Sequence, residues 1–164
     1  MANLIQIKEY LKQRQLQYKI VGLGQEAFTV EDVVRAGVDQ DEVIKTLVVR
    51  VTKSITGIKS IKGIKGQQFV ALALRGKDRL DFKKVRKLFG SKSELAKPEE
   101  VLKVVGVPIG AVCPVLVGIP LYFDKRVMDL KNVHMGSGDL KHGLEMKLSD
   151  LLKAVGDYKF EELV

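Results

Sequence analysis

The sequence predicts one domain of the mixed α/β class with α+β character. Three observations carry that prediction. The β-branched run 43–51 and the alternating run 68–75 read as neighbouring strands. Stretches with helical apolar spacing flank them on both sides. Strands and helices also mix without the strict βαβ alternation of a doubly wound fold. The chain has 164 residues and shows no linker or low-complexity boundary, so a single domain over 1–164 is expected.

Leu4, Ile7 and Leu11 fall at helical spacing and predict a first helix, followed by a short strand over 18–23, "YKIVGL". Thr29 and Asp32 have the spacing of a capping box ahead of "VEDVVRAGV", whose stripe of Val30, Val33 and Val34 is closed by Gly37. The two strands come next. Between them "TKSITGIKSIKGIKGQ" reads as a basic hairpin arm or mobile loop. In "DRLDFKKVRKLFG" a helix turns Phe82, Val85, Leu88 and Phe89 inward and Lys83, Lys84, Arg86 and Lys87 outward, with Gly90 placed to end it. Pro98 suits the first turn of a further helix that runs to Gly106. Short strands within "PLYFDK", "VHMG" and "LEMKL" follow, and "SDLLKAV" reads as a helix capped by Ser149.

Hydrophobic content of 46% and charged content of 29% are those of an ordinary soluble globular domain. No apolar run approaches the ~18–20 residues of a membrane helix. The amphipathic start "MANLIQIKEYLKQRQ" lacks a signal peptide's apolar core. Cys113 is the single cysteine, which excludes an internal disulfide and suits a reducing cytoplasm. With two histidines beside it, no zinc site is expected, and neither a cofactor nor a membrane partner.

The net charge of +8 is unevenly spread. Residues 53–92 hold twelve basic against two acidic residues, or +10, while the rest of the chain holds sixteen against eighteen, or −2. A basic half on a near-neutral body is what a polyanion binder presents, although a solvated lysine-rich face has the same composition.

Three places could carry chemistry. Lys45 stands at the head of an apolar strand, where an ammonium is costly unless paired. Its plain alternative is a solvent-facing lysine or a partner for Asp41 or Glu42. The loop Gly106–Pro114 could bring main-chain N–H groups close to a ligand that develops negative charge, or could be only a turn. The loop "HMGSGDLKHG" carries Ser137, His134 and His142 but no phosphate-binding fingerprint, and could be a hairpin turn. Cys113 with either histidine could form a nucleophile–base pair, against the simpler reading of a buried packing thiol.

Taken together these pieces resemble the YbaK/EbsC family, which includes the editing domain inserted in bacterial prolyl-tRNA synthetases. The resemblance rests on Phe28-x16-Lys45 followed by Thr46-Leu47-Val48-Val49, on the "PEEV" helix start and on the G-x3-G-x3-P loop Gly106–Pro114. It extends to the late loop "GSGDLKHGLEMKLSDLL" and covers roughly residues 15–155 in order. Ala111 and Cys113 depart from the family's pattern, where Gly and Ser or Thr are common.

The resemblance implies a mixed central sheet or barrel flanked by helices. It also implies a free-standing deacylase that hydrolyses the ester of a mischarged aminoacyl-tRNA, such as a small amino acid on tRNA-Pro. Lys45 and Gly110 would be catalytic, with water activated by the substrate's own ribose hydroxyl. Phe28, Thr29, Pro108, Ala111, Gly136, Ser137 and Gly138 would bind the substrate. The basic residues Lys59, Lys62, Lys65, Lys83, Lys84, Arg86 and Lys87 would hold the tRNA backbone. The implied partner is tRNA, with an aminoacyl-tRNA synthetase as a candidate second one, and a monomer is the default. Competing readings are a non-catalytic tRNA- or RNA-binding module of the same fold, a thiol hydrolase using Cys113, and a structural lysine-rich protein.

Overall fold

The computed structural model describes residues 3–52 and 67–164. Its elements are α1 (Leu4–Gln13), β1 (Lys19–Gly22), α2 (Val30–Arg35), β2 (Ile44–Val51), β3 (Gln68–Arg75), α3 (Phe82–Phe89) and β4 (Ser93–Leu95). They continue with α4 (Pro98–Val105), β5 (Leu121–Asp124), β6 (Asn132–Gly136), β7 (His142–Lys147), α5 (Leu148–Ala154) and β8 (Lys159–Glu161).

The strands form two sheets. One has three strands in the order β1-β7-β6, antiparallel throughout. The other has five in the order β4-β2-β3-β5-β8, antiparallel from β4 to β3 and parallel from β3 to β8. A parallel bridge between Val43 and His134 joins the two at one corner. Among the described residues the sheets close no barrel, so of the two implied architectures the sheet flanked by helices is the observed one.

Strand alternation explains how the layers pack. Ile44, Ala71 and Ala73 meet Val133, Met135, Leu144 and Met146 of the small sheet, with Ile7 and Leu11 of α1 and Leu151 of α5 in the same cluster. On the opposite face Val49, Val51, Val70 and Leu72 meet Val85 and Phe89 of α3. Val48 and Phe69 lie against Val101 and Val105 of α4 and against Ala111 and Val112 of the following loop. Strand β3 is covered on both faces, so all of it from Gln68 to Leu74 is buried. Each fully buried Leu, Val or Phe there contributes about 1.5–3 kcal/mol.

Helix α3 ends at Gly90 in the left-handed region, and the four inward positions and four basic outward positions fall as the periodicity predicts. The structure corrects one other expectation and adds a strand. Ser149 is not a cap: α5 begins at Leu148 with Lys147 at its N-cap and no side-chain cap bond. Buried Leu148 fixes that start, and its N–H donates to the Lys131 carbonyl at 2.8 Å. The chain also continues past this helix into β8, which adds to the edge of the large sheet. The expected basic arm, with Lys59, Lys62 and Lys65, lies outside the described residues. Among the described residues no helix is long and apolar enough to cross a membrane.

Candidate active site

A cavity of about 300 Å³ opens between the first half of β2, the end of β6, the loop after α4 and the segment leading into α2. Its lining includes Phe28, Thr29, Glu31, residues 44–47, Gly110, Val112, His134, Gly136, Asp139 and His142.

Lys45 alternates with Val49 and Val51 onto the sheet face that α3 covers, but lies beyond the helix, at the cavity. It is half-buried. Asp41, a partner the sequence offered, pairs instead with Lys77 at 3.3 Å. Among the described residues the Lys45 ammonium makes no hydrogen bond or ion pair. Burial holds its ammonium below the ordinary lysine value of 10.5, and Arg79 adds to the depression while Glu31 and Asp78 oppose it. The neighbouring cation on the same strand is handled differently, since Arg50 bonds Glu100 at 2.8 Å and Glu94 at 2.9 Å. The cavity therefore contains a desolvated, unclaimed positive charge.

The rim at Phe28 is set by the capping box of α2. Thr29 accepts from the Asp32 N–H, and the Asp32 carboxylate accepts from the N–H groups of Phe28 at 3.0 Å and Thr29 at 3.2 Å. These bonds, the Phe28 N–H first, hold the Asp32 carboxyl below the usual carboxylate range. Phe28 is left 48% exposed, a large apolar side chain held out at the mouth rather than buried.

Gly110 approaches this rim from the other side. Its φ is +91°, and a Cβ there would lie 2.8 Å from both the Phe28 Cα and the Phe28 carbonyl oxygen, so only glycine allows the approach. Its N–H has no protein partner among the described residues. Gly136 lies as closely against the Ala111–Val112 main chain, and Gly138 N–H donates to the Ala111 carbonyl at 2.8 Å, tying the late loop to the Gly106–Pro114 loop.

The fold thus gathers Lys45, Gly110, Phe28, Thr29 and Gly136 around one cavity. Pro108, Ala111, Ser137 and Gly138 do not line it and instead frame the loops that do. Ala111 N–H donates to the Pro108 carbonyl at 3.0 Å. Ser137 is fully buried, with its hydroxyl donating to the carbonyl of His142 at 2.6 Å or of Asp139 at 3.2 Å. Lys83, Lys84, Arg86 and Lys87 are exposed on α3, over the sheet face to which Lys45 belongs.

Sequence reasoning left His134 without a role. It sits between Val133 and Met135, which face the core, so alternation turns it to the other face of β6, toward Glu145 and Gly143 of β7. Only 2% exposed, its ring fills the space a Cβ on Gly143 would take. Nδ1 is 3.4 Å from Glu145 Oε1, and Nε2 has no partner among the described residues. Burial pushes its pKa below 6.5 against the pull of Glu145, so the imidazole is neutral at pH 7. His142 Nδ1 lies 3.5 Å from Asp139 Oδ1 at the cavity's edge.

Cys113 is 3% exposed in the main core and does not line the cavity. Burial pushes its thiol up to about 12, which leaves no thiolate for nucleophilic attack near neutral pH. Among the described residues no group of three His, Cys, Asp or Glu side chains could hold a metal ion.

Comparison with known proteins bears on the same stretch of chain. The model of the aminoacyl-tRNA editing domain matches residues 25–154. YwhH, an uncharacterised protein of Bacillus subtilis, is 31% identical over 112 residues, covering 67% of this chain and 68% of that protein. The proline–tRNA ligase of Macrococcus caseolyticus is 30% identical over 127 residues, which cover 74% of this chain but only 20% of the ligase. A solved protein proposed to be a trans-editing enzyme for prolyl-tRNA synthetase superposes with a TM-score of 0.74 at 26% identity, covering 98% of this chain and 95% of that one.

Proposed function

Because the chain belongs to the aminoacyl-tRNA editing-domain family, we propose that it is a trans-editing deacylase, a hydrolase that cleaves the ester of a mischarged aminoacyl-tRNA. The observation that carries this reading is the unclaimed, half-buried charge of Lys45 beside the open main chain of Gly110 in one cavity. The acceptor end of a charged tRNA offers a phosphodiester anion next to an ester whose carbonyl oxygen becomes negative in the transition state. Lys45 pairs with the anion and orients the ester, and the Gly110 N–H donates to the oxyanion. Water adds to the ester carbon, the bond to the ribose oxygen breaks, and the water's proton ends on that ribose hydroxyl. Free amino acid and uncharged tRNA leave.

The segment 27–33, with Phe28 and Thr29 at the mouth, and Gly136 on the far wall enclose the aminoacyl group. The cavity of about 300 Å³ suits a small amino acid, such as alanine, cysteine or serine on tRNA-Pro. The basic side chains of α3 lie over the same sheet face as Lys45 and would track the acceptor-stem backbone without reading sequence. Substrate of this kind places the work in the cytoplasm, alongside a synthetase that makes the error. The protein incubated with tRNA-Pro charged with alanine, cysteine or serine should release free amino acid faster than buffer does. Failure to release any of them would overturn the reading.

A further inference from the structure

Strand β2 has a free edge at the cavity. Gly76 N–H donates to the Val43 carbonyl at 2.7 Å, and Ala96 N–H donates to the Val48 carbonyl at 2.9 Å. Main-chain groups alternate sides along a strand, so odd-numbered residues of this stretch address β3 and even-numbered ones point away from it. On that far side β4 pairs with β2 only from Val49↔Leu95 to Val51↔Ser93. Thr46 is even-numbered and precedes the paired stretch. Its main-chain N–H and carbonyl therefore face outward, on the side where no strand ladder reaches Thr46.

The facing strand does not close the gap. Strand β6 touches the chain just before β2 through the single parallel bridge Val43–His134. By Gly136 it packs on Ala111 and Val112 instead. Thr46 and Gly136 both line the cavity between the splayed strands. The Thr46 hydroxyl does not occupy the edge, since its Oγ1 is buried without a partner.

In an antiparallel ladder a residue facing its neighbour exchanges both its N–H and its carbonyl with one opposite residue. An aminoacyl ester presents that same pair, an amino nitrogen and a carbonyl oxygen on either side of one Cα. We infer that the aminoacyl group docks on the free edge of β2 as a one-residue strand: its ammonium donates to the Thr46 carbonyl, and its ester carbonyl accepts from the Thr46 N–H. This rests on the deacylase reading and adds a binding contact to it. With Gly110 it gives the ester oxygen two main-chain donors, matching its two lone pairs. The contact recognises any α-amino acid, as β-strand addition does, and leaves the choice among them to the fit of the side chain in the cavity.

The test uses an acceptor-stem microhelix ending in a 3′-amide-linked alanine, which keeps the amino group and carbonyl but cannot be hydrolysed. Amide hydrogen exchange of the ¹⁵N-labelled protein is followed by NMR with and without it. On saturation the Thr46 N–H should exchange at least about tenfold more slowly, since a free edge amide becomes bonded. The N-acetylated microhelix, which has lost the ammonium, should bind at least about tenfold more weakly. Resonance changes at Gly110 and His134 with unchanged exchange at Thr46 would overturn the one-residue strand while leaving the deacylase reading intact. No change at any cavity residue would overturn both.

Discussion

The two halves of β2 solve opposite problems with one run of sequence. From Val48 to Val51 the strand is paired on both sides; its valines are at most 4% exposed, and Arg50 is held by two carboxylates. From Ile44 to Leu47 it has β3 on one side and a cavity on the other, and its cation, Lys45, has no carboxylate partner. The difference is β4, three residues that reach only as far as Val49. A site here requires no exotic residue. Withholding one strand's pairing for a few residues leaves main-chain groups and a charge available to a ligand.

The largest effect should come from Gly110, which closes the open half. Gly110→Ala forces a Cβ into the Phe28 main chain and strains a left-handed φ, at about 1–2 kcal/mol of stability. By displacing the N–H it should also lower single-turnover release by ~100-fold or more. Unchanged release would remove Gly110 from the site. Raising the pH probes the same half without mutation. The depressed folded pKa of Lys45 means its charge is lost as pH rises, at a pH below the ordinary 10.5. Enzymatic release, corrected for spontaneous ester hydrolysis, should then fall about tenfold per pH unit above that midpoint. A rate that keeps climbing through pH 10.5 would show that the ammonium form is not needed.

The closed half should respond in the opposite currency. Arg50→Ala removes two ion pairs, leaving Glu94 with Lys92 and Glu100 with the Lys97 N–H, and should cost about 1–3 kcal/mol of stability, read as a lowered denaturation midpoint, while release by the folded fraction changes little. A large loss of release at full stability would break the comparison. Smallest of all, Cys113→Ala should change release by less than about twofold, because the thiol is buried outside the cavity and protonated. Abolished release would restore the thiol-hydrolase reading.

Much of the fold was readable from periodicity: the helices with capping boxes or terminal glycines, and the two long strands. What escaped was decided by packing. Ser149 has the chemistry of a cap, yet buried Leu148 starts the helix two residues earlier than such a cap would. Strand β8 is three residues long and carries no alternation to detect. In the site, Lys45 was conspicuous as a charge within an apolar run, and Phe28 and Gly110 followed from the family resemblance. His134 was detectable in principle, because its neighbours Val133 and Met135 mark the core face of β6. The free edge at Thr46 was not, since pairing is a property of where β4 stops rather than of the residues in β2.

The central claim, that the open half of β2 is where the ester is held, is tested most directly by one comparison. Wild type and Lys45→Ala are each given excess over tRNA-Pro charged with alanine, cysteine or serine, and release is followed in a single turnover with denaturation midpoints measured alongside. The account predicts release by wild type of at least one of the three and a loss of ~100-fold or more in the variant, at unchanged or slightly higher stability. Equal release by both proteins would contradict it and move the chemistry away from β2.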